Sequence, residues 1–404
     1  MKAPITIRLG IISIATIIGL DAIVAAGGES IVSTSEAQPR VPLSFEFSIK
    51  LPDYPSQVAW SRDGKRLAVS QFNTGKVRFI DLESRQILET VLEASGDPKM
   101  VWSPDDKYLA LNDGGKANGL RIVETATWKD VGHKPRLTGE CILQDGPALG
   151  FSTDGTFLWI ACYKRQSEPQ PNQGPYKALL KLNVPDLSVA AVIERPLPIP
   201  LDFAAVSDDY AVSTPTGNSL STIVSSRFEG RDQLGAPILR TFATMSELDS
   251  EAVVGPTVEF QDDKNFQKFA ARVLQWPERN AMIAFWAWPN WSLIKDATVL
   301  DKYSLPRLET YDTRTGERLV AFAPTTEHRI PLHDVVLARK AGLFLGALSS
   351  MEPDVGAIAV WDPLSGKQLQ VLPTNHQAAY LWLSHDETRL AVIVLRDIQI
   401  FRVN

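Results

Sequence analysis

The chain has 404 residues, of which 44% are hydrophobic and 22% charged, a globular composition that excludes a disordered polymer. A formal net charge of -6 repels phosphate backbones and argues against general nucleic-acid binding. Two cysteines and five histidines are too few for a dense disulfide or metal framework.

Lys2 and Arg8 make a short basic start, followed by about twelve apolar or small residues from Leu9 to Leu20, the length of a secretory h-region. Asp21 interrupts the run, and Val24-Ala25-Ala26-Gly27 supplies small residues for cleavage after Ala26. Residues 1–26 therefore read as a signal peptide or, counted through to Ala26, as a retained anchor somewhat short of the roughly 20 residues of a spanning helix. Either reading predicts export, to the periplasm or beyond, with membrane contact only if the segment is retained. No cysteine lies near the end of the run, so a lipoprotein is not indicated. Residues 27–42 read as a linker, leaving 43–404 as the folded part.

That part is built on a unit first seen in residues 58–92. Val58 and Trp60 end a first strand, and Ser61-Arg62-Asp63-Gly64 is a turn whose Ser and Asp bond nearby amides and whose Gly accepts positive φ. Arg66-Leu67-Ala68-Val69 follows as a second strand, Val77-Arg78-Phe79-Ile80-Asp81 alternates with period two as a third, and residues 86–92 make a fourth. Four antiparallel strands in such a span make one blade of a β-propeller.

The Ser-x-Asp turn between apolar strands returns at Ser103-Pro104-Asp105, Ser152-Thr153-Asp154 and Ser384-His385-Asp386. Weaker copies occupy 203–210, 272–285 and 335–345. Third strands end alike at Ile80-Asp81, Val123-Glu124, Tyr311-Asp312 and Trp361-Asp362, and the segments from Tyr311 to Glu317 and from Trp361 to Lys367 align without a gap. Seven units result, the last ending after its third strand at 398–403. Residues 43–49 alternate cleanly and have no blade of their own. An unclosed blade leaves an edge of unpaired amides and carbonyls, so the sequence predicts an all-β, seven-bladed propeller of four-stranded antiparallel blades, closed by this N-terminal strand.

Through these turns and Trp361-Asp362 the chain resembles WD-repeat propellers. It is similar as well to the bacterial YVTN-type and quinoprotein amine dehydrogenase-like propellers. The resemblance covers residues 43–404; the Gly-His pair of typical WD repeats is absent, though His333-Asp334 sits at a comparable place. It implies either a protein- or ligand-binding scaffold or a propeller enzyme of lactonase or quinoprotein dehydrogenase type with its site at the central channel. A membrane-tethered assembly factor is a third reading.

Insertions point to a working face. Residues 166–175 and 286–303 fall between second and third strands, and 245–263 is read as a connection between units four and five; all three are expected on one face. Long loops in compact domains are usually functional or disordered. Trp286, Trp288 and Trp291 make one of them a candidate binding surface, against the alternative that Trp286 and Trp288 share a strand face and pack between blades. His333 and Asp334 are the best polar candidates at the channel mouth, against a capping role. The acidic run Glu247, Asp249, Glu251, Glu259, Asp262 and Asp263 reads either as a holder of a cation or basic partner or as a solvated loop, and its spacing fits no calcium-loop motif. Cys141 and Cys162 are either a disulfide of an exported chain or two separate buried thiols. Adjacent residues in Ser384-His385-Asp386 do not converge as a triad. No phosphate-cradling Gly-rich loop and no metal-ligand spacing occurs, so no catalytic residue, cofactor or metal is assigned, and a protein or small-molecule partner is expected.

Overall fold

The computed structural model describes residues 41–72, 74–94, 98–113, 119–134, 149–164, 176–195, 220–231, 237–247, 255–260, 271–286, 307–322, 332–349, 356–376 and 378–404. Residues 1–40, on which the expected signal or anchor and most of the expected linker fall, lie outside them, and the compact unit begins at Val41. Seven antiparallel sheets succeed one another along it; six have four strands, and blade 4 has three among the described residues. The weak copy at 203–210 lies outside those residues.

Blade 1 comprises Pro55–Trp60, Arg66–Gln71, Lys76–Asp81 and Gln86–Glu93, hydrogen-bonded in that order from the inside outward. The expected closure is present. Blade 7 takes Ala378–Leu383, Arg389–Val394 and Asp397–Val403 from the C-terminus and Leu43–Lys50 from the N-terminus as its outer strand. Leu43 pairs with Val403, Phe47 with Ile400 and Ile49 with Ile398. Glu46, largely buried, bridges Arg402 at 2.8 Å and Arg389 at 3.3 Å. The side-chain amide of Gln370 in blade 6 donates to the carbonyl of Leu43 and accepts from its N–H, both at 2.9 Å.

The Ser-x-Asp motif folds identically four times. Each serine hydroxyl donates to the aspartate two residues on, at 2.7, 2.7, 2.6 and 2.6 Å for Ser61, Ser103, Ser152 and Ser384. Each hydroxyl also accepts the amide five residues on, from Arg66, Tyr108, Phe157 and Arg389. The fourth turn residue has positive φ: Gly64, Asp106, Gly155 and Glu387. Two of these are carboxylates, in a conformation that favours glycine, and both reach back one blade. Asp106 accepts the amides of Arg62 and Asp63; Glu387 accepts the amide of Lys340 at 2.7 Å and the Arg339 guanidinium at 3.0 Å.

Blades also meet through apolar clusters, each straddling two neighbours. Phe47, Ile49, Ile393, Ile398 and Ile400 of blade 7 pack with Val58, Trp60, Leu67, Val69 and Ile80 of blade 1, and comparable clusters lie between blades 1 and 2, 2 and 3, 4 and 5, 5 and 6, and 6 and 7. Tryptophans closing the first strands add a bond toward the blade before: Trp60 Nε1 donates to the carbonyl of Trp382 at 2.9 Å and Trp102 Nε1 to that of Ala59 at 3.1 Å.

One expectation is corrected. Residues 245–263 are not a connection between blades. They contain the end of Pro237–Glu247 and the outer strand of blade 4, Val258–Phe260. Val258 and Phe260 are buried and Glu259 exposed, and Phe260 meets Tyr311 of blade 5 edge-on at 5.2 Å. Three residues of strand between polar segments carry too little alternation to read. A Cβ on Gly255 would lie 2.7 Å from the carbonyl oxygen of Thr313, so the approach to this strand runs along the turns of blade 5, on the face opposite to the second-to-third-strand loops. The acidic run is likewise divided: Glu247 and Glu259 are on strands, and its other members lie outside the described residues.

Two predictions follow from the closure and the turns. Phe47→Ala removes a ring from the junction of blades 7 and 1 and lowers stability by about 3–5 kcal/mol in urea denaturation, and deleting residues 43–50 abolishes the cooperative transition. In the turns, Arg314 beside Asp312 holds that carboxyl at about 2, while the Ser103 and Ser152 hydroxyls lower Asp105 and Asp154. A depressed carboxylate contributes stability that is complete above its unfolded value, 3.8, and lost as pH falls through its folded value. The melting temperature should therefore drop between about pH 4 and 2, and Asp312→Asn should flatten part of that slope.

Candidate functional site at the channel mouth

The connections divide the molecule into two faces. First-to-second and third-to-fourth strand turns open on one, the turn face. Second-to-third-strand loops and blade-to-blade connections open on the other, the loop face. The loops at 165–175 and 287–306 leave from strand ends on the loop face and lie outside the described residues. Trp286 is the last residue of Ala281–Trp286, at its loop-face end, paired with Ala271 and Arg307. Trp288 and Trp291 are outside the described residues. Cys162 lies in Phe157–Lys164 of blade 3, paired with Ala178; Cys141, and with it the question of a bridge, is outside them.

The innermost strands hold the more informative geometry. In blade 6, Leu332–Ala338 has a register shift between Leu332 and Asp334, so His333 is the bulged residue. Blade 7 shifts between Ala378 and Leu381, leaving Ala379 and Tyr380 unpaired. Blade 1 shifts between Pro55 and Gln57, at Ser56. Three consecutive blades thus carry a bulge near the loop-face end of the strand that lines the channel. Bulges disrupt the ladder and re-aim side chains, and they recur beside functional sites.

Asp334 uses this geometry structurally. It is buried; its Oδ2 accepts the amide of Leu381 at 2.8 Å, and its Oδ1 accepts that of Val335 at 2.9 Å. The carboxylate therefore ties blade 6 to the first amide beyond the bulge of blade 7, the capping role weighed against a site role above. Ser56 is buried, with its hydroxyl 2.8 Å from that of Ser70. Tyr380 differs: it is 45% exposed, and its ring centroid lies 5.7 Å from that of Trp382. Sequence reasoning passed over Tyr380. The signal was available in Ala378-Ala379-Tyr380-Leu381-Trp382, where strict alternation fails and places large side chains out of phase.

Nearby on the same face, exposed Tyr54, Phe72 and Leu395 flank the junction of blades 7 and 1. The Phe72 amide donates to the carbonyl of Tyr54 at 2.7 Å, and the Arg396 guanidinium lies 4.7 Å from the Tyr54 ring centroid. Among the described residues no three His, Cys, Asp or Glu side chains converge as a metal-ion holder. Ser384 and Asp386 are occupied with each other and with turn amides.

These features define an all-β propeller with an aromatic, bulged channel mouth on its loop face. No protein-family model matches the chain, and no curated protein sequence matches it. Among solved structures, the hydrazine synthase of Kuenenia stuttgartiensis superposes on 88% of this chain and 98% of that one with a TM-score of 0.61, at 13% sequence identity. The structure of the Dos1 propeller covers 90% of this chain and 95% of that one at 14% identity, with a TM-score of 0.48. The first of these likenesses, at that identity, speaks to the fold alone.

Asp334 and Tyr380 should respond differently to truncation. Asp334→Ala strips a buried amide of its acceptor and costs about 1–3 kcal/mol, whereas Tyr380→Ala at an exposed position stays within about 0.5 kcal/mol, both read by urea denaturation.

Proposed function

We propose that the chain is an exported propeller of the WD-repeat or YVTN-like kind that binds a protein partner or small ligand on its loop face, centred on the channel mouth. The carrying observation is the run of bulges on the innermost strands of blades 6, 7 and 1, which frees His333 and Tyr380 from strand pairing on the face that also bears the tryptophan-rich loop. The exposed Tyr54 and Phe72 support the same face, since aromatic residues dominate binding hot spots. The signal-like start supports export.

Binding is tested with Trp288→Ala, Trp291→Ala and Tyr380→Ala. Each should weaken capture of the native partner, isolated on the wild-type protein from its own envelope fraction, with the melting temperature nearly unchanged. Equal loss of both would mean that these side chains only pack. A mature N-terminus near Gly27, read by N-terminal sequencing, would establish the cleaved signal.

The second reading is an enzyme of propeller lactonase or quinoprotein dehydrogenase type, with its site at the central channel. What favours it is the occurrence of acid–base residue types, His333 and Tyr380, at the bulges of adjacent innermost strands. Metal analysis with a hydrolase and dehydrogenase screen of the purified protein separates the two: turnover that disappears in His333→Ala and Tyr380→Ala would replace the binding reading.

A further inference from the structure

On the opposite, turn face, blades 1 and 2 enclose a groove of about 600 Å³, within the range of small-ligand sites. Asp63, Arg66, Asp81 and Leu88 line it from blade 1, and Ala126 and Trp128 from blade 2. It borders on Asp106 as well, each of whose oxygens accepts one amide, that of Arg62 or that of Asp63.

The remaining polar groups have capacity to spare. Asp63 commits Oδ1 to the Ser61 hydroxyl and the Lys65 amide. Asp81 commits Oδ1 to the amide and hydroxyl of Ser84. A carboxylate has about four lone-pair sites, so both keep acceptor capacity. Arg66 is the cross-strand partner of Asp81, yet among the described residues its guanidinium makes no hydrogen bond and no ion pair. Its donors are unspent.

The wall between them is an indole held in a costly conformation. Trp128 has φ of 55°, in the left-handed region, which costs a non-glycine residue on the order of 1–3 kcal/mol. Blades 5 and 6 carry Gly316 and Gly366 at the corresponding turn position, and blade 3 carries Leu187. Trp128 rests on Phe79, with centroids 3.9 Å apart, and stands edge-on to Trp102. Leu187 shows that a plain apolar side chain suffices for packing between blades; the indole, partly buried, supplies in addition an aromatic ring that lines the groove.

Spare acceptors, a spare donor and a flat apolar wall match a ligand that both donates and accepts and has an apolar face. Three carboxylates against one guanidinium disfavour phosphate and other anions. We infer that this groove binds a carbohydrate, with a pyranose ring laid on Trp128 and its hydroxyls bonded to Arg66, Asp63 and Asp81. It is independent of the loop-face site.

The test is calorimetric titration of the whole mature protein with maltotriose, cellotriose and chitotriose. At least one trisaccharide should bind. Arg66→Ala and Asp81→Asn should each weaken it by about tenfold, Trp128→Leu, which keeps the packing that blade 3 shows, should weaken it further, and Tyr380→Ala should leave it unchanged. The exposed Arg66→Ala variant keeps its melting temperature and so separates binding from folding. Absence of binding by all three sugars overturns the proposal, as does binding indifferent to Arg66 and Asp81. Binding of Gly-Arg-Gly amide that tightens in Arg66→Ala, with no sugar bound, would make the groove a site for basic peptides instead.

Discussion

The pairing of Leu43–Lys50 with Asp397–Val403 is the constraint on which the rest depends. Any sheet ring assembled from a linear chain has two ends, and an unpaired edge exposes amides and carbonyls in a row. Here the first of the described strands becomes the outer strand of blade 7. The C-terminal strand is thereby flanked on both sides, by Arg389–Val394 and by Leu43–Lys50. Glu46 and Gln370 then fix the register from outside the ladder, one through two arginines and the other through both backbone groups of Leu43. The bond from Gln370 comes from blade 6, so the closing strand is held by two blades.

Closure requires that neighbouring blades keep a constant relation, and the turns provide for it. Where the left-handed position of a first turn is a carboxylate, as in Asp106 and Glu387, it hydrogen-bonds the equivalent turn of the blade before. Where the left-handed position of an outer turn is not glycine, its side chain wedges toward the same neighbour: Arg85 lies 4.6 Å from the Phe47 ring, Trp128 lies on Phe79, and Leu187 is buried with residues of blade 2. In blade 6 the position is Gly366, where a Cβ would stand 2.9 Å from the Phe322 ring of blade 5. The ring of the preceding blade takes the space the missing side chain leaves. Backbone strain at these sites is offset by contact between blades, which explains why residues poorly suited to positive φ persist there.

Much of this was legible in the sequence because it rests on local chemistry. Ser-x-Asp turns bond within five residues of themselves, so their identity alone specifies the geometry of four blades; the count of seven came with the repeated third-strand ends and the weaker copies, and the closure from the alternation of residues 43–49, which had no blade of their own. What was not legible depends on partners far along the chain. Glu309 sits in a strand where a carboxylate reads as exposed, yet it is buried because the Tyr311 hydroxyl and Arg318 satisfy it. Val258–Phe260 is too short to show a period, and only its packing on blade 5 makes it a strand. The candidate site was half visible: His333 and Asp334 were flagged by residue type, but the bulge between them is a property of register, and Tyr380 showed only as a break in the alternation of residues 378–382, where blade 7 has a bulge of its own.

The two faces of the molecule follow from how the chain uses its connections. Most turn-face connections among the described residues are short and stitched by hydrogen bonds, which fixes the backbone beneath Arg66, Asp81 and Trp128; that of blade 4, between Glu247 and Val258, is longer. Two of the insertions, 166–175 and 286–303, belong to loop-face connections, and on that same face the innermost strands of blades 6, 7 and 1 begin with bulges. A rigid face suits recognition of a small rigid ligand, whose few contacts tolerate little misplacement. A face of long loops around a channel mouth suits a larger partner, for which contact is spread and adaptable. The same blade repeat, by placing its second and fourth connections together and its first and third together, builds both surfaces at once.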